Sequence, residues 1–249
     1  MDLEVIGYCE GPELWEAAGE LMASVWPEYN RHGDVMNAHW GALFDLFPRF
    51  QFLLYDAPAG TVAAEGNTAP CPWDGTFAGL GDGIDEMLVR AVRAHAEGIR
   101  STALCATAAK VTPAYQGRGL AGRVLDTMAA LAREAGFAHL IAPVRPSLKE
   151  RYPIIPIERY VRWTRADGQP FDPWIRTHTR RGGKLVKPVP HSLRITGTVG
   201  EWESWTGIEL PEDGCYTFPR GLAPLDIDRR EDVGLYFEPN VWIVHPLGG

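Results

Sequence analysis

The stretch KVTPAYQGRGLAGRVLDTM, residues 110–128, joins a strand-like run to a helix-like run. Gly117, Gly119 and Gly122 lie close together in it. The backbone N–H groups at the start of a helix are unpaired and carry a partial positive charge, and glycines let an anion approach them without a Cβ in the way. The stretch therefore predicts an anion-binding loop. A tight turn that holds no ligand is the alternative.

The segments on either side predict a strand–loop–helix–strand unit over residues 101–144. STALCATAAKV before the loop and AHLIAPV after the helix are short apolar runs typical of buried strands. LAGRVLDTMAALAREAGF has apolar residues at helical spacing and ends at Gly136. Because one helix joins the two strands, we expect the strands to be parallel.

The remaining segments predict a mixture of helices and strands. A strand, a helix that ends at Pro27, a short helix, a β-hairpin and an amphipathic helix are expected before the loop. After it, DPWIRTHTRRGG predicts a short helix with Asp172 as its N-cap, and KLVKPVPHSLRITGTV predicts two strand pieces. The tail contains short strand-like runs and closely spaced tryptophans.

The loop also satisfies the dinucleotide pattern GxGxxG by its letters. That pattern expects an acidic residue at the end of the next strand, where it grips a ribose. The next strand reads HLIAPV and has no acid. We therefore reject a dinucleotide site.

The loop instead resembles motif A of the GCN5-related N-acetyltransferases (GNAT). Gln116, Gly119 and Ala121 meet the family pattern Gln/Arg-x-x-Gly-x-Gly/Ala, and the order of elements over residues 1–145 is similar to that of the family. The resemblance implies an α/β (α+β) fold. Its sheet would be mixed and mostly antiparallel, with central parallel strands that splay apart and helices on both faces. We assign residues 1–200 to this acyl-CoA-binding domain and residues 201–249 to a C-terminal extension packed on it.

The resemblance further implies acetyl-CoA as co-substrate. The loop amides would cradle the pyrophosphate of coenzyme A, and the end of the preceding strand would bind the pantetheine arm. The expected coenzyme-binding residues are Lys110, Val111, Thr112, Gln116, Gly117, Arg118, Gly119, Leu120, Ala121 and Gly122.

Two residues are candidates for the tyrosine that often donates a proton to the leaving thiolate in this family. Tyr152 lies at the usual distance after the last strand of the unit, but Pro153 disfavours helical geometry there. His178 lies four residues before Gly182 and would replace the tyrosine if residues 147–171 are an insertion. Histidine acts as acid or base near neutral pH. Glu65 is the best-placed carboxylate for an amine base or cation anchor.

Composition excludes several classes of partner. The net charge is −8, which disfavours nucleic-acid binding. The sequence has no long apolar run, signal peptide or metal-ligand spacing, so we expect a cytoplasmic protein without a metal or a membrane span. The tryptophans of the tail either pack on the sheet, or they cap the cleft or close a homodimer interface.

These observations favour an N-acyltransferase that moves an acetyl group from acetyl-CoA to a small-molecule amine by direct attack. One alternative is a GNAT-like decarboxylase or acyltransferase acting on malonyl or acyl thioesters of coenzyme A or a carrier protein. A non-catalytic coenzyme A-binding module is the other.

Overall fold

The computed structural model describes residues 2–248. Helices and strands alternate through most of the chain, and short 3₁₀ turns lie between several of them. In chain order the elements are β1 (Glu4–Gly7), α1 (Pro12–Ala23), α2 (Asp34–Trp40), α3 (Ala42–Leu46), β2 (Gln51–Asp56), β3 (Thr61–Cys71), α4 (Ile84–Ala96), β4 (Ala103–Val111), α5 (Leu120–Glu134), β5 (His139–Val144), α6 (Ile157–Tyr160), α7 (Pro173–Thr179), β6 (Lys184–Gly197), α8 (Val199–Thr206), β7 (Gly214–Tyr216), β8 (Leu225–Asp228) and β9 (Val233–Pro246).

The strands form one mixed sheet in the order β1-β2-β3-β4-β5-β9-β8-β7, with β6 paired to β9. Strands β4 and β5 are parallel, and the other pairings are antiparallel. The parallel pair is joined only by Leu104 with Leu140 and Cys105 with Ile141, although both strands continue beyond these pairs. The expected sheet, mostly antiparallel with a splayed parallel pair, is confirmed.

A bulge in β4 lies where the strands separate. Asn67 of β3 pairs with Ala108, and the next residue, Thr68, pairs with Ala106. Thr107 is therefore an extra residue opposite β3. A bulge bends its strand and redirects the side chains beside it, and this bend lies just after the last residues that β4 pairs with β5.

Helices cover both faces of the sheet. Leu53 of β2 packs with Ala18 and Met22 of α1. Its neighbours Phe52 and Leu54 belong to the largest core cluster, which contains residues of α4 and α5. Because successive residues of a strand face opposite sides, α1 lies on one face and the largest cluster reaches the other.

The C-terminal region is part of the sheet. Strand β9 pairs with β5, β6 and β8, and the boundary placed at residues 200 and 201 falls inside α8. Trp202 and Trp242 are fully buried, and the Trp202 indole donates to the Gly234 carbonyl at 2.9 Å. These two tryptophans therefore pack within the chain, which is the first of the two roles considered for the tail.

Strand β6 is one long strand where the sequence predicted two pieces. Its pairing with β9 is interrupted between Leu185 and Lys187 and again between Val189 and Leu193. Pro190 lies in the second interruption, whereas Pro188 is paired with Val241. Proline has no N–H to donate to a neighbouring strand, so the second interruption accommodates Pro190 within a single strand.

Candidate active site

The glycine loop has the backbone geometry of a turn into a helix. Gly117 and Gly119 have φ of 75° and 79°, in the left-handed region, and Gly119 is the N-cap of α5 without a side-chain cap. Side chains other than glycine are strained there. The predicted loop thus presents the first amides of α5 without a Cβ from either glycine.

Gly122 is a glycine for a different reason. It lies within α5, where its φ is not positive, and a Cβ on it would come 2.0 Å from the Arg181 guanidinium. Arg181 in turn contacts Asp126 of α5 at 2.8 Å. An arginine from the turn after α7 therefore lies against the first turn of α5.

The end of β4 is held on its β3 side. Thr112 donates its amide to the Ala63 carbonyl at 3.0 Å, and Gln116 donates its side-chain amide to the Val111 carbonyl at 3.1 Å. Beyond Cys105, β4 has no pairing with β5. This leaves one edge of β4 unpaired along the gap, as a strand-like pantetheine arm requires.

A cavity of about 990 Å³ fills the gap between β4 and β5. Its lining includes part of the glycine loop and α5, the splayed ends of both strands, and residues of α7. Aromatic side chains from the N-terminal region also line it. The residues that matter for the chemistry are Thr107, Lys110, Glu65, Gln116, Gly117, Ala121, Trp15, Trp26, Trp40, Trp174 and His178.

His178 is placed in the cavity wall by the capped helix α7. The Asp172 side chain accepts from the amides of Trp174 and Ile175 at 2.9 and 3.1 Å, which confirms the predicted N-cap. His178 is only 1% exposed, and its Nδ1 lies 2.9 Å from Nε2 of His245. Within residues 2–248, its Nε2 has no hydrogen-bond partner.

The His178 imidazole is held neutral. Burial, assisted by the neighbouring His245 and Arg181, lowers the pKa of His178 well below its usual value. Trp174 packs edge-on against the ring, 4.4 Å between centroids. A neutral imidazole with an unpaired nitrogen can accept or relay a proton.

Thr107, the bulge residue of β4, is the second unpaired polar group in the cavity wall. It is 7% exposed, and its Oγ1 has no hydrogen-bond partner among the described residues. A buried hydroxyl without a partner costs free energy. Such a group is a candidate for binding a substrate atom.

Glu65 and Lys110 form a buried ion pair that also lines the cavity. Lys110 Nζ lies 2.7 Å from Glu65 Oε2, and it also lies 5.5 Å from the centre of the Trp40 ring. The Glu65 carboxylate, which was predicted as an amine base, is thus already paired with the Lys110 ammonium. Lys110, predicted among the coenzyme-binding residues, pairs with this carboxylate through its side chain.

Tyr152 lies away from the cavity. Its ring is half-buried among the aromatic side chains of Tyr160, Trp163 and Phe171, with centroids 4.9–6.1 Å away. It is not among the residues that line the cavity. Of the two candidates for the proton carrier, the fold brings His178 alone to the gap.

Sequence reasoning missed Thr107 and His245. Thr107 is the one polar residue in an otherwise small and apolar run, a signal that was available in CATAA. His245 comes from β9, whose pairing with β5 joins distant parts of the chain, and nothing near it in the sequence marks it. Residues 2–248 contain no cluster of His, Cys, Asp and Glu that could hold a metal ion, and none of their helices is long and apolar enough to cross a membrane.

Comparisons with known proteins show which proteins the chain resembles. The chain is 33% identical to the arginine N-acetyltransferase avaD of Aspergillus versicolor over 95% of its length and 91% of the relative. No family model matches the sequence. Among solved structures, it is similar to the loading GNATL domain of CurA from Lyngbya majuscula, with a TM-score of 0.65, 14% identity and coverage of 99% of this chain and 98% of that one. It is also similar to the GphF GNAT-like decarboxylase in complex with isobutyryl-CoA, with a TM-score of 0.58, 16% identity and full coverage of both chains.

The curated relative shows the family, and the two solved structures show the fold. Acetyl-CoA is the co-substrate of this family. The chain belongs to the GCN5-related N-acetyltransferase superfamily and is an enzyme of the N-acyltransferase class.

Proposed function

We propose that this enzyme transfers the acetyl group of acetyl-CoA to an amino or guanidino group of a small molecule, with His178 as the proton carrier. One observation supports the proposal most. The unpaired Nε2 of a neutral, buried His178 lines the cavity between the splayed strands, where this family places the thioester. The acceptor nitrogen would attack the thioester directly, in a complex that contains both substrates.

The proton balance of this reaction assigns His178 two tasks. The acceptor nitrogen forms a bond to the carbonyl carbon and becomes more acidic, and His178 Nε2 takes its proton. The bond between carbon and sulfur then breaks, and the same proton passes to the coenzyme A thiolate. The low pKa of His178 suits this relay, because a weakly basic imidazole gives its proton up readily.

Thr107 is proposed to donate a hydrogen bond to the thioester oxygen as negative charge develops on it. Its Oγ1 is buried, unpaired within the described part of the chain, and carried by the bulge at the splay. A donor that is already in place before the reaction needs no reorganisation when charge appears. In the complex with acetyl-CoA, the thioester oxygen would be the hydrogen-bond partner of the Thr107 hydroxyl.

Coenzyme A is proposed to bind along the residues expected from motif A. The open edge of β4 up to Thr112 supports binding of the pantetheine arm, and the amides from Gly117 to Gly122 support binding of the pyrophosphate. Arg181 adds a positive charge next to this turn through its contact with Gly122. The half-exposed pairing of Arg181 with Asp126 leaves its guanidinium able to reorient toward a phosphate.

The acceptor is proposed to carry a cationic group that lies against aromatic rings, while the nitrogen that attacks the thioester is neutral. Trp15, Trp26 and Trp40 line the cavity. Indole faces attract ammonium and guanidinium groups. The relative named an arginine N-acetyltransferase supports the same class of acceptor.

Glu65 is proposed to act electrostatically, and Tyr152 is proposed to pack. The Glu65 carboxylate balances the charge of Lys110, which lowers the electrostatic cost of a second cation in the cavity. Decarboxylation of a malonyl thioester is the less favoured chemistry, because the relative at 33% identity is named an N-acetyltransferase. Of the cations that line the cavity, Lys110 is paired with Glu65 at 2.7 Å and Arg145 with Glu238 at 3.0 Å, whereas Arg220 forms no ion pair within residues 2–248.

A reducing compartment such as the cytoplasm is also proposed. Cys9, Cys71, Cys105 and Cys215 are free thiols, and long stretches of sequence separate all four. A homodimer remains a prediction.

Thermal denaturation with acetyl-CoA, malonyl-CoA and NAD, followed by an assay of free thiol release, tests the proposal. Ligand at about a hundred times its dissociation constant should add roughly 2.7 kcal/mol of stability. We expect stabilisation by acetyl-CoA and thiol release with arginine, blocked arginines and small amines, with the acetylated product identified by mass spectrometry. His178→Ala should lose this activity while the exposed control His191→Ala keeps it. Stabilisation by NAD alone, or carbon dioxide release from malonyl-CoA without acetyl transfer, would overturn the proposal.

A further inference from the structure

We propose that His245 is a positioning residue that fixes the tautomer of His178, so that the proton of His178 lies on Nδ1 and the lone pair of Nε2 faces the cavity. The proposal rests on the proposed function of His178 for its consequence in catalysis. The assignment of the His178 tautomer itself does not depend on the activity of the enzyme.

The geometry of the pair requires one nitrogen to donate and the other to accept. Nδ1 of His178 lies 2.9 Å from Nε2 of His245, and both rings are at most 3% exposed. With both imidazoles neutral, a single proton lies between these two nitrogens. If His178 supplies it, Nε2 of His178 is left bare. If His245 supplies it, Nε2 of His178 carries a hydrogen and cannot accept a proton.

The surroundings of the two His178 nitrogens decide between these arrangements. Nε2 of His178 is buried and has no hydrogen-bond partner within residues 2–248, whereas Nδ1 faces Nε2 of His245 at 2.9 Å. A buried N–H without an acceptor costs free energy, so the hydrogen of His178 belongs where an acceptor lies, on Nδ1. Nε2 of His245 then accepts, and the hydrogen of His245 lies on its other nitrogen. The Arg181 backbone, which raises the pKa of His245, agrees with a hydrogen there.

The turn after α7 is shaped around the His245 ring. A Cβ on Gly183 would lie 2.6 Å from Cε1 of His245 and 2.8 Å from the carbonyl oxygen of His178. The Gly183 amide donates to that same carbonyl at 3.0 Å. A side chain at position 183 would therefore push apart the two histidines, and glycine lets the end of α7 and strand β9 approach closely.

The charged groups that face the pair keep it neutral. Arg181, from the turn after α7, disfavours the protonated form of both rings. Asp126 of α5 favours the protonated form of His245, but it is paired with Arg181 at 2.8 Å. Burial is the largest cause of the lowered pKa of each histidine. The surroundings of His178 thus set its charge as well as its tautomer.

Nitrogen NMR of the full chain, labelled at histidine, tests the tautomer directly. We expect a protonated Nδ1 and an unprotonated Nε2 for His178, assigned by comparison with His178→Ala. His245→Leu should convert His178 to a mixture of tautomers, whereas His245→Gln should preserve the first form, because the Gln amide oxygen can accept at the position of Nε2.

Kinetics of the same variants test the consequence for catalysis. We expect kcat of His245→Leu to fall by about 10- to 100-fold, a range seen when a partner that orients a functional histidine is removed. KM for acetyl-CoA should stay unchanged, and His245→Gln should recover most of kcat. A hydrogen on Nε2 of His178 in the unaltered protein would overturn the proposal. If NMR shows the expected tautomer but the His178→Ala variant is fully active, the catalytic role of His178 is refuted. The positioning of His178 by His245 then still stands.

Discussion

The Lys110 ammonium lies 2.7 Å from the Glu65 carboxylate, and the two side chains are only 8% and 4% exposed. Removing one partner of a buried ion pair leaves an uncompensated charge. We therefore expect Glu65→Ala to lower the free energy of unfolding by about 3–5 kcal/mol, and the double variant Glu65→Gln with Lys110→Met to lose much less. Urea denaturation of the single and double variants measures this, with the exposed Glu97→Ala as control.

The activity of the double variant separates two roles for Glu65. If Glu65 only balances Lys110, kcat should survive when both charges are removed, while the change at the expected coenzyme-binding residue Lys110 should appear in KM for acetyl-CoA. Loss of kcat in a double variant of normal stability would contradict the electrostatic role and restore Glu65 as an amine base.

The glycines of the loop should respond differently to alanine. Gly119 has a positive φ, so Gly119→Ala should cost about 1–2 kcal/mol of stability and weaken acetyl-CoA binding. Gly122 lies in helical geometry, and a Cβ there meets only the end of the flexible Arg181 side chain. Gly122→Ala should therefore keep stability within about 1 kcal/mol of the unaltered protein. Calorimetric titration with acetyl-CoA and chemical denaturation check both variants. Equal losses would show that backbone geometry does not distinguish these positions.

Thr107→Val should reduce activity without reducing stability. The Thr107 hydroxyl is buried and lacks a partner in the described chain, so a methyl group in its place removes a desolvation cost. We expect an unchanged or higher midpoint of thermal unfolding, together with a fall in kcat of about 10²-fold if the hydroxyl stabilises the developing oxyanion. Thr107→Ser is the matched control and should retain activity. An active Thr107→Val enzyme would contradict the role.

Stability should decrease as the pH falls below the ordinary pKa of histidine. In the folded protein the pKa of His178 and that of His245 are lowered, so the unfolded chain binds more protons at mildly acidic pH. The stabilisation is therefore complete above about pH 6.5 and is lost as the pH falls toward the folded pKa. Each unit of pKa difference contributes about 1.4 kcal/mol. Urea denaturation between about pH 7.5 and pH 5.5 should show a smaller slope for His178→Phe and an unchanged slope for the exposed His191→Gln. Equal slopes in all three proteins would mean that His178 is not held neutral.

Asp172 connects helix capping to activity. Besides capping α7, its carboxylate accepts from the Leu148 amide at 2.8 Å and the Tyr160 hydroxyl at 2.9 Å. Asp172→Ala should cost about 2–4 kcal/mol, from the lost cap and the buried donors left unpaired. It should also lower kcat, because α7 carries His178. Thr198→Ala removes the cap of α8 and serves as the control, since it should cost about 1 kcal/mol without changing kcat.

Local patterns predicted most of the first 180 residues. The small apolar runs around residues 103–111 and 139–144 became the parallel strands, and the Asp172 cap appeared as expected. These features depend on neighbours along the chain. The bulge at Thr107 and the histidine pair depend on which strands meet, and spacing in the sequence carries no information about that. His178 was found through its distance from Gly182, but its partner His245 comes from a strand that is paired over a long range.

The long-range pairing of β9 also affects how the protein is made. β5 is complete at Val144, but the residues that pair with its edge begin at Val241. Synthesis adds about 5–20 residues per second, so this edge of β5 stays unpaired for roughly 5–20 s before its partner in β9 is made. An unpaired apolar edge attracts other strands. In the nascent protein, pairing of β5 with another chain therefore competes with pairing of β5 to β9. The active site forms only once β9 has paired with β5.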